Sequence, residues 1–222
     1  MSLESNLNKI KSTIPPHVKL VAVSKFHPKE ALEEVYRAGQ KVFGESRVQE
    51  LSTKYPELPS DIEWHLIGHL QTNKIKVIVP YIHTIQSVDS WKLLSEIDKY
   101  ASKINRTINC LLEIHIAEED SKFGFTFDSC REMLETEDWK ALKHIRLTGL
   151  MGMATYSDDT DLVRCEFRSL KNFFEELKGK YFADAPGFGE ISMGMSHDYK
   201  IAIEEGSTIV RIGTSIFGER EY

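Results

Sequence analysis

Val18-Lys19-Leu20-Val21-Ala22-Val23-Ser24-Lys25, followed three residues later by Pro28, decides the fold. An apolar run without alternation marks a strand buried on both faces, and such strands belong to parallel sheets covered by helices. The run closes on a lysine. In α/β folds the chemistry gathers where strands end, so the Lys25 amine is expected at the mouth. Burial and nearby cations lower an ammonium pKa from about 10.4, and the neutral amine forms a Schiff base with an aldehyde. A solvated strand cap is the plainer reading of Lys25, and its position alone does not choose between them.

Outward from this strand, short apolar runs alternate with amphipathic ones. Strands are expected at Lys19 to Lys25, Lys41 to Gly44, Trp64 to Gly68, Thr84 to Ser87, Asn109 to His115, Arg146 to Met151, Glu190 to Gly194 and Thr208 to Gly213. Helices are expected from Pro28 to Ala38, from an N-cap at Asp89 to Ser102, and from Leu162 to Lys178, ended by Gly179. A short helix capped by Ser196 is expected to end at Gly206. Eight strand–helix alternations imply parallel βαβ units closing into a (β/α)8 TIM-like barrel. An open doubly wound sheet is the alternative. No linker or composition break divides residues 1–222, so one domain is expected.

Composition narrows the function. The 222 residues are 41% hydrophobic and 28% charged, as in ordinary globular proteins. No apolar run reaches the roughly 20 residues that span a bilayer, and no secretory signal is visible. The three scattered cysteines suit a reducing cytosol rather than a disulfide framework. A net charge of −6 argues against nucleic-acid binding but leaves room for a local phosphate site.

Ser192-Met193-Gly194-Met195-Ser196 and Gly213-Thr214-Ser215 each run from a strand end toward a helix start, where amides and hydroxyls attract an anion. They stand after strands seven and eight, where barrels of this class often hold phosphate. Arg211 lies inside the last apolar strand and needs a partner there. That partner is either a barrel glutamate or a ligand ring nitrogen, which an arginine would keep unprotonated. His65 and His69 sit four apart. Gly68 and the lack of a zinc-protease glutamate argue against a metal pair, so no metal is expected and both are read as hydrogen-bonded barrel residues. The charged loop Glu118 to Gly124 is read as a solvated segment that could rim the mouth.

These motifs together closely resemble the pyridoxal phosphate homeostasis (YggS/PROSC) family. The matching segments are Val21 to Lys25, Phe43 to Glu50, Trp64 to Lys74, Ser87 to Asp89, Lys122 to Gly124, Gly149 to Met153, Ser192 to Ser196 with Asp198, and Gly206 to Gly218. The resemblance implies a barrel like the N-terminal domain of alanine racemase, with pyridoxal 5'-phosphate (PLP) held as an aldimine on Lys25. It further implies that Ser192, Gly213 and Thr214 hold the phosphate and that Arg211 faces the pyridine nitrogen. Ser46 and His115 stand where the family usually has Asn.

In alanine racemases a tyrosine from the other subunit serves as second base, and a C-terminal β-domain supports the dimer. This chain ends at Tyr222, soon after the eighth strand. One base and a poor electron sink bind PLP but drive α-proton chemistry poorly. The expectation is therefore a monomeric cytoplasmic PLP carrier supplying PLP-requiring apo-enzymes, without substantial catalysis. A weak amino-acid racemase using Tyr156 or His197 is the alternative. A phosphate-ester enzyme would explain the loops but not Lys25 beside Arg211.

Overall fold

The computed structural model describes residues 2–118 and 123–219. Eight strands run in parallel: β1 (Lys19–Val23), β2 (Val42–Glu45), β3 (Glu63–Leu66), β4 (Thr84–Val88), β5 (Ile108–Ile114), β6 (Ile145–Gly152), β7 (Glu190–Ser192) and β8 (Ile209–Ile212). They pair in chain order and close, β8 against β1, into a barrel. The closed barrel expected from the alternation is what the chain forms, and the open sheet is excluded. Around it lie α1 (Leu3–Lys11), α2 (Lys29–Arg37), α3 (Val48–Lys54), α4 (Ile75–Ile78), α5 (Trp91–Ser102), α6 (Phe127–Glu135), α7 (Thr160–Tyr181), α8 (Tyr199–Glu204) and α9 (Thr214–Phe217). Among the described residues no helix is long and apolar enough to cross a membrane.

Two apolar regions follow from the side-chain period of two along each strand. The larger lies between strands and helices; the smaller, Val21, Leu111, Met151 and Ile209, fills the barrel interior. Helix α7 shows how sequence builds the outer layer. Asp159 accepts from the Asp161 and Leu162 amides, and Val163, Phe167, Leu170, Phe174 and Leu177 face the barrel. Burying each such side chain contributes about 1.5–3 kcal/mol. The helix runs past Gly179 to Tyr181.

Several boundaries differ from expectation. Ser90, not Asp89, caps α5, accepting from the Leu93 amide; Asp89 instead bonds His69 Nδ1 at 3.0 Å. Asp198 rather than Ser196 precedes α8. The β1 ladder ends at Val23, two residues before Lys25. Helices α1, α3 and α6 are additions to the expected set.

Gly149 pairs with Glu190 on the β6–β7 ladder, and a Cβ there would lie 1.7 Å from the Glu190 carbonyl oxygen. The clash is with backbone, which cannot swing aside. Gly149→Ala should therefore lose more than about 3 kcal/mol, lowering Tm by roughly 6–12 °C in a chain of this size. Wild-type melting would show that the two strands do not meet in this register.

Candidate functional site

The C-terminal ends of the strands surround a cavity of about 480 Å³. Lys25, His27, Ser46, Ser196, Arg211, Gly213, Thr214 and Ser215 line it, with Val23, Ile67, Met153 and Met195 as apolar wall and Tyr156 and His197 at the rim. The amine expected from β1 and the loops expected from β7 and β8 thus face one space. Barrel closure brings them there: Val21 pairs with Arg211 and Ala22 with Ile212, and a Cβ on Gly213 would lie 3.1 Å from the Val23 carbonyl.

Lys25 sits in a turn whose next residue, Phe26, has φ +69°, the left-handed region that non-glycine residues avoid. A buried ionic group holds this turn. Lys54 Nζ, from α3, donates to the Ser24 carbonyl (2.9 Å), Glu45 Oε1 (2.8 Å) and Glu50 Oε1 (2.6 Å). Glu45 accepts from the Ser24 hydroxyl (2.7 Å), and Glu50 accepts the Phe26 N–H (2.6 Å). The Arg47 guanidinium lies 4.9 Å from the Phe26 ring centre. Burial pushes the Glu45 carboxyl above its usual range, with Lys54 and Ser24 opposing the shift. The sequence gives no sign of Lys54's role, and Glu50 stands in it only as the end of a matching segment. The i, i+4 Glu–Lys spacing was visible, but resembles an ordinary surface pair.

The opposite wall carries the turn after β7 and the start of α9. Gly194, at φ +98°, turns the chain sharply; a Cβ would lie 2.6 Å from that of Ala202. Asp198 accepts the Met195 amide at 2.5 Å, and Ser196 Oγ accepts that of Gly213 at 3.3 Å. In α9 the Ile216 and Phe217 amides return to the Gly213 carbonyl. The Thr214 and Ser215 amides start the helix outside its ladder, beside their hydroxyls.

Arg211 closes the floor. Its Nη1 donates to Ser192 Oγ at 2.6 Å and its Nη2 to the Gly152 carbonyl at 3.0 Å. Glu113 and Asp198 act on it electrostatically, but no described carboxylate makes an ion pair with it, so the glutamate-partner reading is not what the fold contains. Burial brings its pKa down to about 10, which leaves it charged at neutral pH. Ser192 does not line the cavity, contrary to its expected place on a phosphate. It is fully buried, with its hydroxyl donating to Gln86 Oε1 at 2.7 Å while accepting from Arg211. Gln86 Nε2 in turn meets His65 Nδ1 at 2.8 Å. An arginine cannot accept, so Ser192 Oγ is the acceptor of the Arg211 Nη1 bond, and Gln86 joins Ser192 to His65 behind the cavity floor. Gln86 carried no motif and was missed.

The remaining expected residues divide. Ser46 lines the cavity, and the backbone of Gly68 packs tightly upon it. His115 is away from the cavity lining, with its Nδ1 buried and unbonded. His65 is a buried barrel residue, as read; His69 is exposed at the mouth, bonded to Asp89 and stacked 4.0 Å from Phe123. Tyr156 and His197 meet edge to face at 4.8 Å. Glu119 to Lys122 of the charged loop, and Tyr222, lie outside the described residues.

The family profile of the alanine racemase N-terminal domain matches residues 1–221. A pyridoxal phosphate homeostasis protein of Aquifex aeolicus is 42% identical over 92% of this chain and 88% of its own length. One from Schizosaccharomyces pombe is 36% identical over 92% and 85%. The chain belongs to the pyridoxal phosphate homeostasis family. PipY of Synechococcus elongatus, solved with PLP bound, is 36% identical and superposes with a TM-score of 0.86 over 97% of this chain and 100% of PipY. Alanine racemase of Clostridium difficile, 16% identical at a TM-score of 0.75 and with 56% of its length covered, shares the fold.

Within this family barrel Glu113 has a charge problem. Burial raises its pKa to about 7, Asp89 adds to the rise and Arg211 opposes it; Oε2 is buried without a partner. A carboxyl whose pKa is higher folded than unfolded stabilises below its unfolded pKa, and that stability is lost as pH rises through the folded value. Replacing it by an isosteric amide removes this term. Glu113→Gln should thus gain on wild type between pH 5 and pH 8 by up to roughly 3 kcal/mol. A constant difference in melting temperature across that range would contradict the assignment.

Proposed function

We propose that this chain binds PLP and serves PLP homeostasis, through one barrel domain spanning residues 1–222. The observation that carries the reading is the shared cavity, in which the Lys25 amine faces the Ser196, Gly213, Thr214 and Ser215 corner across the Arg211 guanidinium. PLP, when bound, supplies an aldehyde that condenses reversibly with a primary amine. Lys25 is the attaching amine in this reading. Thr214 and Ser215 bind the phosphate by amides and hydroxyls and Ser196 by its hydroxyl, which also holds the Gly213 amide at 3.3 Å, while Gly213, lacking a side chain, lets the backbone come close. Arg211 faces the pyridine nitrogen and keeps it unprotonated, and Ser192 holds Arg211 from behind rather than touching phosphate. The size of the cavity suits one small cofactor, and its donors match a dianion and a ring nitrogen.

A guanidinium at the ring nitrogen weakens the ring as an electron sink, which favours holding PLP over transforming amino acids. A carrier of this kind works as a cytoplasmic monomer and passes PLP to apo-enzymes. Tyr156 and His197 at the rim favour a second reading, a weak racemase. Tyr156 is 79% exposed, a poor setting for a proton donor that must work dehydrated.

Adding PLP should give a visible absorption band at one equivalent per chain. Lys25→Ala should abolish the band, and Thr214→Val combined with Ser215→Ala should weaken PLP binding by about tenfold or more. A colourless wild type ends the PLP reading. In deuterium oxide, α-deuterium incorporation into L-amino acids at about 1 s⁻¹ or faster would replace the carrier by the racemase.

A further inference from the structure

The end of the barrel opposite the cavity gathers groups that the proposed function does not use. Glu63 and His65 lie two apart on β3 and share a face; His83 immediately precedes β4. The His83 amide donates to the Trp64 carbonyl at 3.0 Å, fixing these positions relative to one another. Their candidate ligand atoms all lie within 4.8 Å of one another. His83 Nε2 is 3.9 Å from Glu63 Oε2. The two imidazoles are similarly braced, His83 Nδ1 by Thr84 Oγ1 at 2.8 Å and His65 Nδ1 by Gln86 at 2.8 Å. Each therefore has its Nδ1 held by a neighbour and its Nε2 left for another partner; in metal sites that Nδ1 donates its proton to an acceptor, which Thr84 Oγ1 is for His83 and the Gln86 amide oxygen would be for His65. His65 is fully buried, and its Nε2 has no hydrogen-bond partner among the described residues.

We propose that Glu63, His65 and His83 form a divalent metal site of the zinc class at the N-terminal end of the barrel. Two imidazoles and one carboxylate are borderline ligands suited to Zn²⁺, and three protein ligands leave a fourth position for water. Ligands about 2.1 Å from a tetrahedral zinc stand about 3.4 Å apart. The 3.9 Å His83–Glu63 separation is near this value, and the half-exposed Glu63 and His83 side chains have room to close on buried His65. Lys19 and His83 are the groups whose positive charge acts on His65. The Lys19 ammonium is paired with Glu190 at 2.9 Å, which offsets its repulsion of a cation.

Ligation through Nε2 requires Nδ1 to carry the ring proton, so Gln86 must offer Nδ1 its oxygen. A half-turn of the amide achieves this without displacing its position, since oxygen and nitrogen exchange places. Ser192 Oγ then accepts from both Gln86 and Arg211. The sequence offered His65 and His69 as a pair; the fold separates them and brings His83 to His65 instead.

Calorimetric titration of the PLP-loaded protein with ZnCl₂ tests the site. The expected result is one equivalent bound with a Kd of about 10 µM or tighter, released by EDTA. His83→Ala and, independently, Glu63→Gln should each weaken binding by about 100-fold or more for loss of a ligand, while Cys165→Ser and His69→Ala leave it unchanged. The mutated side chains are half-exposed, and circular dichroism and PLP absorbance report whether the fold is retained. No saturable uptake below about 100 µM, or uptake equal to wild type in folded His83→Ala and Glu63→Gln, overturns the proposal. Neither result bears on PLP binding, which is read separately by its visible band.

Discussion

Closure of β8 onto β1 is the constraint on which the site depends. The two strands lie at opposite ends of the chain, and only their pairing brings the Lys25 turn beside Gly213. The register matters as much as the pairing. Val21 stands opposite Arg211, and a slip of β8 by one residue would turn Arg211 out of the barrel.

Closure positions the backbone, and two buried polar systems then aim the side chains. The Lys54, Glu45 and Glu50 group grips both sides of Lys25, at the Ser24 carbonyl and the Phe26 amide. Buried ion pairs add little net stability, but removing one partner strands a charge. Here the group's evident product is geometry: it sustains a left-handed Phe26 that would otherwise relax. On the far side, Ser192 and the Gly152 carbonyl take both terminal nitrogens of Arg211, so the guanidinium is fixed before any ligand arrives. Preorganisation of this kind reduces the ordering cost of binding.

Much of this was legible in the sequence, for identifiable reasons. The unbroken apolar run of β1 and seven further short, mainly apolar segments alternating with amphipathic ones made the barrel legible. That Lys25 and Gly213-Thr214-Ser215 line one cavity was legible because the ends of barrel strands share one mouth. Ser192 was misplaced because a small polar residue near a strand end reads alike whether it faces the mouth or the interior. Only the pleat decides, and it turns the hydroxyl toward Gln86. Lys54 looked like a surface helix residue; its burial comes from packing against β2, which no local pattern records. The His65–His83 pairing depends on neighbouring strand starts and was hidden by the closer spacing of His69.

The central claim is that the Lys25 amine is the group that takes PLP. Borohydride reduction of the PLP-treated protein at one equivalent, followed by peptide mapping, addresses it most directly. The account predicts a stable pyridoxyl label on the peptide carrying Lys25 and on no other. A label on Lys54 or another lysine, or one spread over surface lysines with Lys25 unmodified, would contradict it.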